Sequence, residues 1–127
     1  MEEAIEKLAV IGFFLIGVSH IVQPKVWVSF FIGIREKGEA GAFINAFIHY
    51  PFGALIVAFH NVWHGIPMVL TLIGYGLLLK GFINFVFPKT ALKTLERVSL
   101  DKSWEFVVAG VFSVGIALLL LYSLLSR

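Results

Sequence analysis

Six side chains able to hold a proton, an anion or a hydrogen-bond partner stand in otherwise apolar sequence: His20, Asn45, His49, Lys80, Asn84 and Glu105. Asn45 and His49 are four residues apart, and so are Lys80 and Asn84. In a helix that spacing puts each pair on one face. A neutral imidazole donates through one nitrogen, accepts through the other and titrates near neutral pH. The Lys80 ammonium suits an anionic or carbonyl group, and Glu105 offers a counter-ion. Converging, these residues could bind a small solute or ion, or relay protons. They also allow a plainer role. Asn and His commonly hydrogen-bond across membrane helices, and a lysine can run its stem out to the headgroups.

A second group lies in Phe59-His60-Asn61-Val62-Trp63-His64-Gly65. His60 and His64 are four residues apart, so a continued helix would present both to a divalent metal. The usual zinc motif adds a Glu base and a third ligand, and neither is evident. The alternative is two interfacial histidines capping backbone groups beside a turn. A bis-histidine haem needs two His at matched depth on facing helices. His20 and His49 differ by roughly 9 Å in depth, and His60 has no depth-matched partner on the other spans, which disfavours haem. No nucleophile–base pair, phosphate loop or pair of catalytic carboxylates is present. The residues therefore name no cofactor and lean away from an enzyme.

The elements that must position these groups are membrane spans. Hydrophobic residues make up 59% of the chain and charged ones 14%, against about 45–50% and 25% in soluble domains. Lipid is the solvent that such a composition requires. The net charge of +2 is modest and the few basic residues are clustered in two segments, which favours a membrane surface over nucleic acid. There is no cysteine, hence no disulfide and no thiolate metal site. The acidic start Met1-Glu2-Glu3-Ala4-Ile5-Glu6-Lys7 is unlike a cleaved signal peptide, so the first apolar segment is expected to be retained.

A crossing takes about 20 apolar residues. Spans are expected at residues 4–22, 41–62, 67–87 and 104–126. The second and third come from one uncharged run, Ala40–Leu79, broken at Asn61, His64, Gly65 and Pro67. Glycine just past a helix end and proline at a helix start explain that break. Trp104 and Tyr122 suit the two interfaces of span four. Pro51 predicts a kink within span two, and the small-residue row Ala109, Ser113, Ala117 permits close packing within the bundle or between subunits. Trp27, Phe30, Phe31 and Ile34, then Leu92, Leu95 and Val98, recur at helical spacing among charges. These segments read as short amphipathic helices in the interface after spans one and three. The expected fold class is an all-α, four-transmembrane-helix bundle forming one integral membrane domain, 1–127.

Lys25, Arg35, Lys37, Lys89, Lys93, Arg97 and Lys102 fall on one side, which the positive-inside rule makes cytoplasmic. Both chain ends and the His60–His64 turn are then outside. At 1.5 Å per residue, His20, Asn45 and Asn84 lie roughly 5–8 Å from the cytoplasmic surface, and His49 and Lys80 roughly 10–14 Å. Glu105 is just inside it.

A shift of 64 residues aligns the two halves: Gly12 on Gly76, Gly17 on Gly81, His20 on Asn84, Pro24 on Pro88 and Lys25 on Lys89. A duplication or a coincidence between two apolar segments ending in Pro-Lys both fit. A true repeat would have its axis along the membrane normal and a site at the repeat interface.

Gly17-Val18-Ser19-His20, followed by Pro24 and Trp27, resembles the opening of DoxX-like small membrane proteins of bacteria and archaea. The resemblance covers about the first quarter of the chain. It implies a four-helix bundle in a prokaryotic cytoplasmic membrane and does not fix a function. The expected protein binds or conducts a small solute, ion or proton at the polar residues of the cytoplasmic half. Four helices are few for a transport path, so a homo-oligomer or a membrane partner subunit is expected. The alternatives are an accessory or scaffold subunit of a larger complex, and a quinone- or metal-linked redox protein using the histidines.

Overall fold

The structure is a computed structural model that describes residues 1–127. Its helices are α1 (Glu2–Val22), α2 (Pro24–Glu36), α3 (Glu39–Phe59), α4 (Pro67–Val86), α5 (Pro88–Leu95) and α6 (Trp104–Leu125), with a short 3₁₀ turn at Leu100–Lys102. α1, α3, α4 and α6 are each long and apolar enough to cross a membrane. The fold is an all-α, four-transmembrane-helix bundle, and α2 and α5 are the two amphipathic helices that follow spans one and three.

Local chemistry sets the boundaries. Pro24, Pro67 and Pro88 each open a helix, where a missing N–H costs nothing and φ is already helical. Gly38, at φ 63°, turns the chain from α2 into α3, in a left-handed conformation that glycine adopts without strain. α3 runs unbroken through Pro51 but ends at Phe59, three residues short of the expected Val62. Thr71 of α4 explains the early stop. Its hydroxyl donates to the Val62 carbonyl oxygen at 2.8 Å and accepts from the Val62 N–H at 3.2 Å. The backbone after Phe59 thus finds its partners on the neighbouring helix instead of in another helical turn.

α3 packs along α4, and α1 packs along α6; the two pairs touch each other much less. Glycine permits both close approaches. A Cβ on Gly17 would stand 2.8 Å from the Gly110 carbonyl oxygen and 2.9 Å from the Val114 nitrogen. A Cβ on Gly81 would stand 2.8 Å from Tyr50 Cα. These two contacts are related by the 64-residue offset, which carries Gly17 to Gly81 and Tyr50 to Val114. The same offset turns the α3–α4 pair into the α6–α1 pair. The internal likeness therefore extends from the sequence to the packing.

At the end of the bundle carrying the 60–66 turn, Ile5, Ile56, Leu70 and Leu120 form a buried apolar cluster, backed by Phe13, Leu77 and Ile116. At the opposite end lie α2 and α5. Arg35 joins them, donating through Nη1 to the carbonyl oxygens of Leu95 at 3.1 Å and Val98 at 2.9 Å. Leu15, Phe47, Leu79, Phe112 and Leu118 are exposed along the outside, as lipid-facing residues must be.

Gly17→Ala and Gly81→Ala should each cost about 1–3 kcal/mol, the usual cost of overpacking a tight contact. Gly12→Ala, which meets nothing within 4 Å, should be neutral or stabilising by about 0.5–1 kcal/mol. Unfolding in mixed micelles measures all three, and equal effects would contradict the packing described.

Candidate functional site

Because the helix pairs meet only loosely, a cleft of about 710 Å³ opens between them at the α2–α5 end. All six residues singled out by type and spacing line it: His20 from α1, Asn45 and His49 from α3, Lys80 and Asn84 from α4, and Glu105 from α6. Thr94, Leu95, Arg97 and Ser99 line its interfacial side.

The hydrogen bonds orient each group. Asn84 Nδ2 donates to the Lys80 carbonyl oxygen at 2.8 Å. A carbonyl only accepts, so the Asn84 amide nitrogen must face it and Oδ1 must face α3. Asn45 Nδ2 donates to that Oδ1 at 3.2 Å, a polar tie within the α3–α4 pair. Asn45 Oδ1 is left buried with no partner. His49 Nδ1 donates to the Asn45 carbonyl oxygen and His20 Nδ1 to that of Ile16, each at 2.8 Å. The Nδ1 proton follows from an acceptor-only partner, so Nε2 of each neutral ring is a bare acceptor.

His20 also carries an aromatic collar. Its ring stacks on Trp27 at 4.2 Å and on Phe106 at 5.6 Å. Trp27 Nε1 donates to Ser19 Oγ at 2.8 Å. The Ser-His and Pro-x-x-Trp elements thus form one unit, in which α2 folds back to hold the histidine.

The two charged groups of the set behave differently. Lys80 takes part in none of the ion pairs of the structure. Glu105 is not its counter-ion: it pairs with Arg97, accepting from Nη2 at 2.9 Å and from Nε at 3.3 Å. The hydrogen bonds it donates to Glu105 push the Arg97 guanidinium above its ordinary range, so it stays charged at any physiological pH.

His60 and His64 do not share a helix face, because α3 ends before both. His64 is exposed on the turn. His60 is fully buried, between Thr71 Oγ1 and Glu6 Oε1, each at 3.0 Å. No group of three or more His, Cys, Asp or Glu side chains is placed to share a metal ion. The small-residue row is largely spent inside the bundle. Ser113 Oγ donates to the Phe13 carbonyl oxygen at 2.7 Å, Ala117 is buried, and Ala109 lines the cleft.

Three residues outside the sequence reading hold the structure at its turn end: Glu6, Thr71 and Arg127. Arg127 donates to Glu6 Oε2 at 2.7 Å and to Oε1 at 3.0 Å. Glu6 reads in sequence as one of the acidic residues at the start of span one. Its signal was its depth, since it lies inside the apolar helix at the level of His60. No family model, curated protein or solved structure matches the chain.

Asn84→Leu should leave the Asn45 amide unpaired and cost about 1–3 kcal/mol. Asn45→Leu with Asn84→Leu should cost less than the sum of the single changes, with a coupling of about 0.6–1.7 kcal/mol. A double-mutant cycle on unfolding in micelles tests this; strict additivity would mean that the amide pair contributes nothing.

Proposed function

We propose that the cleft binds a small organic anion that also carries a hydrogen-bond donor, such as a hydroxy- or amino-carboxylate. One observation carries this reading: Lys80, without a carboxylate partner, and Asn45, whose buried Oδ1 is unpaired, line the same cleft. A free ammonium calls for an anion, and an unpaired buried acceptor calls for a donor. The bare Nε2 atoms of His20 and His49 add two more acceptors. The cleft volume of about 710 Å³ is within the range that small ligands occupy.

The apolar cluster at the turn end closes the bundle below the cleft, so binding is the core of the proposal. Conduction is proposed only for a form in which that end opens, in a homo-oligomer or with a membrane partner subunit. The DoxX-like resemblance supplies no ligand.

Protein in lipid nanodiscs should show a stabilised melting transition with at least one small hydroxy- or amino-carboxylate. Native mass spectrometry should show the added mass. Lys80→Leu should weaken binding at least tenfold, and Lys80→Arg much less. Absence of binding across such a panel, or unchanged binding by Lys80→Leu, would overturn the reading.

We further propose that the cleft opens to the cytoplasm of a prokaryotic cell and that both chain ends lie outside. The chain has no cysteine, so single replacements report cleanly. On intact cells an impermeant maleimide should label Trp63→Cys and spare Lys93→Cys; the opposite pattern would reverse the topology.

A further inference from the structure

The turn end holds a buried ionic cluster that the cleft does not use. Glu6 is 1% exposed and His60 0%. The Glu6 carboxylate accepts two hydrogen bonds from Arg127 and meets His60 Nε2 at 3.0 Å. Arg127 also donates to Ser123 Oγ at 3.2 Å. Glu6, Ser123 and Arg127 belong to the α1–α6 pair, whereas His60 and Thr71 belong to the α3–α4 pair. The Glu6–His60 contact is the only side-chain hydrogen bond that joins one pair of spans to the other.

Counting hydrogens shows what this contact holds. The Thr71 hydroxyl has one proton and lies 2.8 Å from the Val62 carbonyl oxygen and 3.0 Å from His60 Nδ1, so the proton is shared between these two acceptor positions. His60 Nε2 faces a carboxylate, which accepts only when ionised. A hydrogen must therefore sit between Nε2 and Glu6, and it ties the imidazole to the carboxylate. Water can reach it: a pocket of about 560 Å³ at this end is lined by Glu2, Glu6, His64, Ser123 and Arg127. Arg127 and His60 bond Glu6, Glu2 on α1 and His64 on the turn line the same pocket, and the charges of Glu2 and Glu3 act on Arg127. α4 contributes the uncharged Thr71.

We propose that Glu6 is a proton-binding residue and that its cluster is a latch which, on taking up a proton, lets the two helix pairs part at the turn end. A proton from the outside water bonds to a Glu6 carboxylate oxygen. His60 keeps its Nε2 hydrogen, so a protonated carboxyl, an N–H and a guanidinium then face one another with too few acceptors. The pairs are held elsewhere by apolar packing and by Arg35 at the far end. Loss of the one polar tie therefore acts where it sits, and an opening there would complete a path to the cleft.

The test is the distance between spin labels at Trp63→Cys and Leu125→Cys, both exposed positions on opposite pairs, in full-length protein in nanodiscs. A single short distance is expected near pH 7.5, with a longer population growing as the pH falls toward 4.5. Glu6→Gln should show at least fivefold more of the long population at pH 7.5, with no pH dependence. Arg127→Gln should move the midpoint to higher pH, because a carboxylate without its guanidinium takes up a proton more readily. His64→Gln and Lys80→Leu should leave the midpoint in place. A wild-type distribution unchanged over this range overturns the latch, and so does loss of the transition in His64→Gln. If Glu6→Gln does not fold, Arg127→Gln decides, and an unmoved midpoint overturns it. The Lys80→Leu arm separates the latch from the cleft, since anion binding can fail while the pH response stands.

Discussion

A bilayer interior offers no water to a buried polar group, so each such group must find a partner within the protein. That constraint arranges this molecule. Polar side chains gather at two levels, and apolar packing fills the space between. At the turn end Glu6, His60, Thr71, Ser123 and Arg127 saturate one another almost completely. At the opposite end Asn45 and Asn84 pair across α3 and α4, but Asn45 Oδ1 and the Lys80 ammonium are left over. A site that closes its own hydrogen bonds holds structure together. One that leaves an acceptor and a cation open has chemistry to offer a ligand.

The division into two helix pairs produces both sites. Gly17 against Gly110 and Val114, and Gly81 against Tyr50, bring backbones into contact within each pair. Between the pairs no such approach exists, and the gap becomes the cleft. The amphipathic helices α2 and α5 sit over that gap, tied by the Arg35 guanidinium to the carbonyls at the end of α5. The one side-chain hydrogen bond between the pairs lies at the far end. The 64-residue offset relates the two pairs and the glycine contacts inside them. The cleft-lining residues do not follow it fully: His49 corresponds to Ser113, and Asn45 to Ala109. The cleft is thus chemically lopsided within a nearly symmetric frame.

Much of the cleft was legible from spacing alone. Asn45 with His49, and Lys80 with Asn84, announced shared faces, and their depths placed them, with His20 and Glu105, in the same half of the bundle. Partner choice was not legible. Glu105 and Lys80 have opposite charges but different depths, and Arg97, on the interfacial segment after α5, takes Glu105 instead. His60 and His64 looked like neighbours on a helix. A hydroxyl on another helix, Thr71, competes for the backbone there and ends α3 first.

The sequence by itself determined the number of spans, their limits to within a few residues, the two interfacial helices and the level of the polar groups. These depend on hydropathy, on helical rise and on proline and glycine chemistry, all of them local. Only the tertiary structure decided which helices pair, that the six polar residues share one cleft, and that Glu6, His60 and Arg127 meet. Those outcomes depend on contacts between residues as far apart as Glu6 and Arg127. Such contacts are chosen by which backbones can approach and which buried charge must be satisfied, and neither is written in the spacing of residues along a single helix.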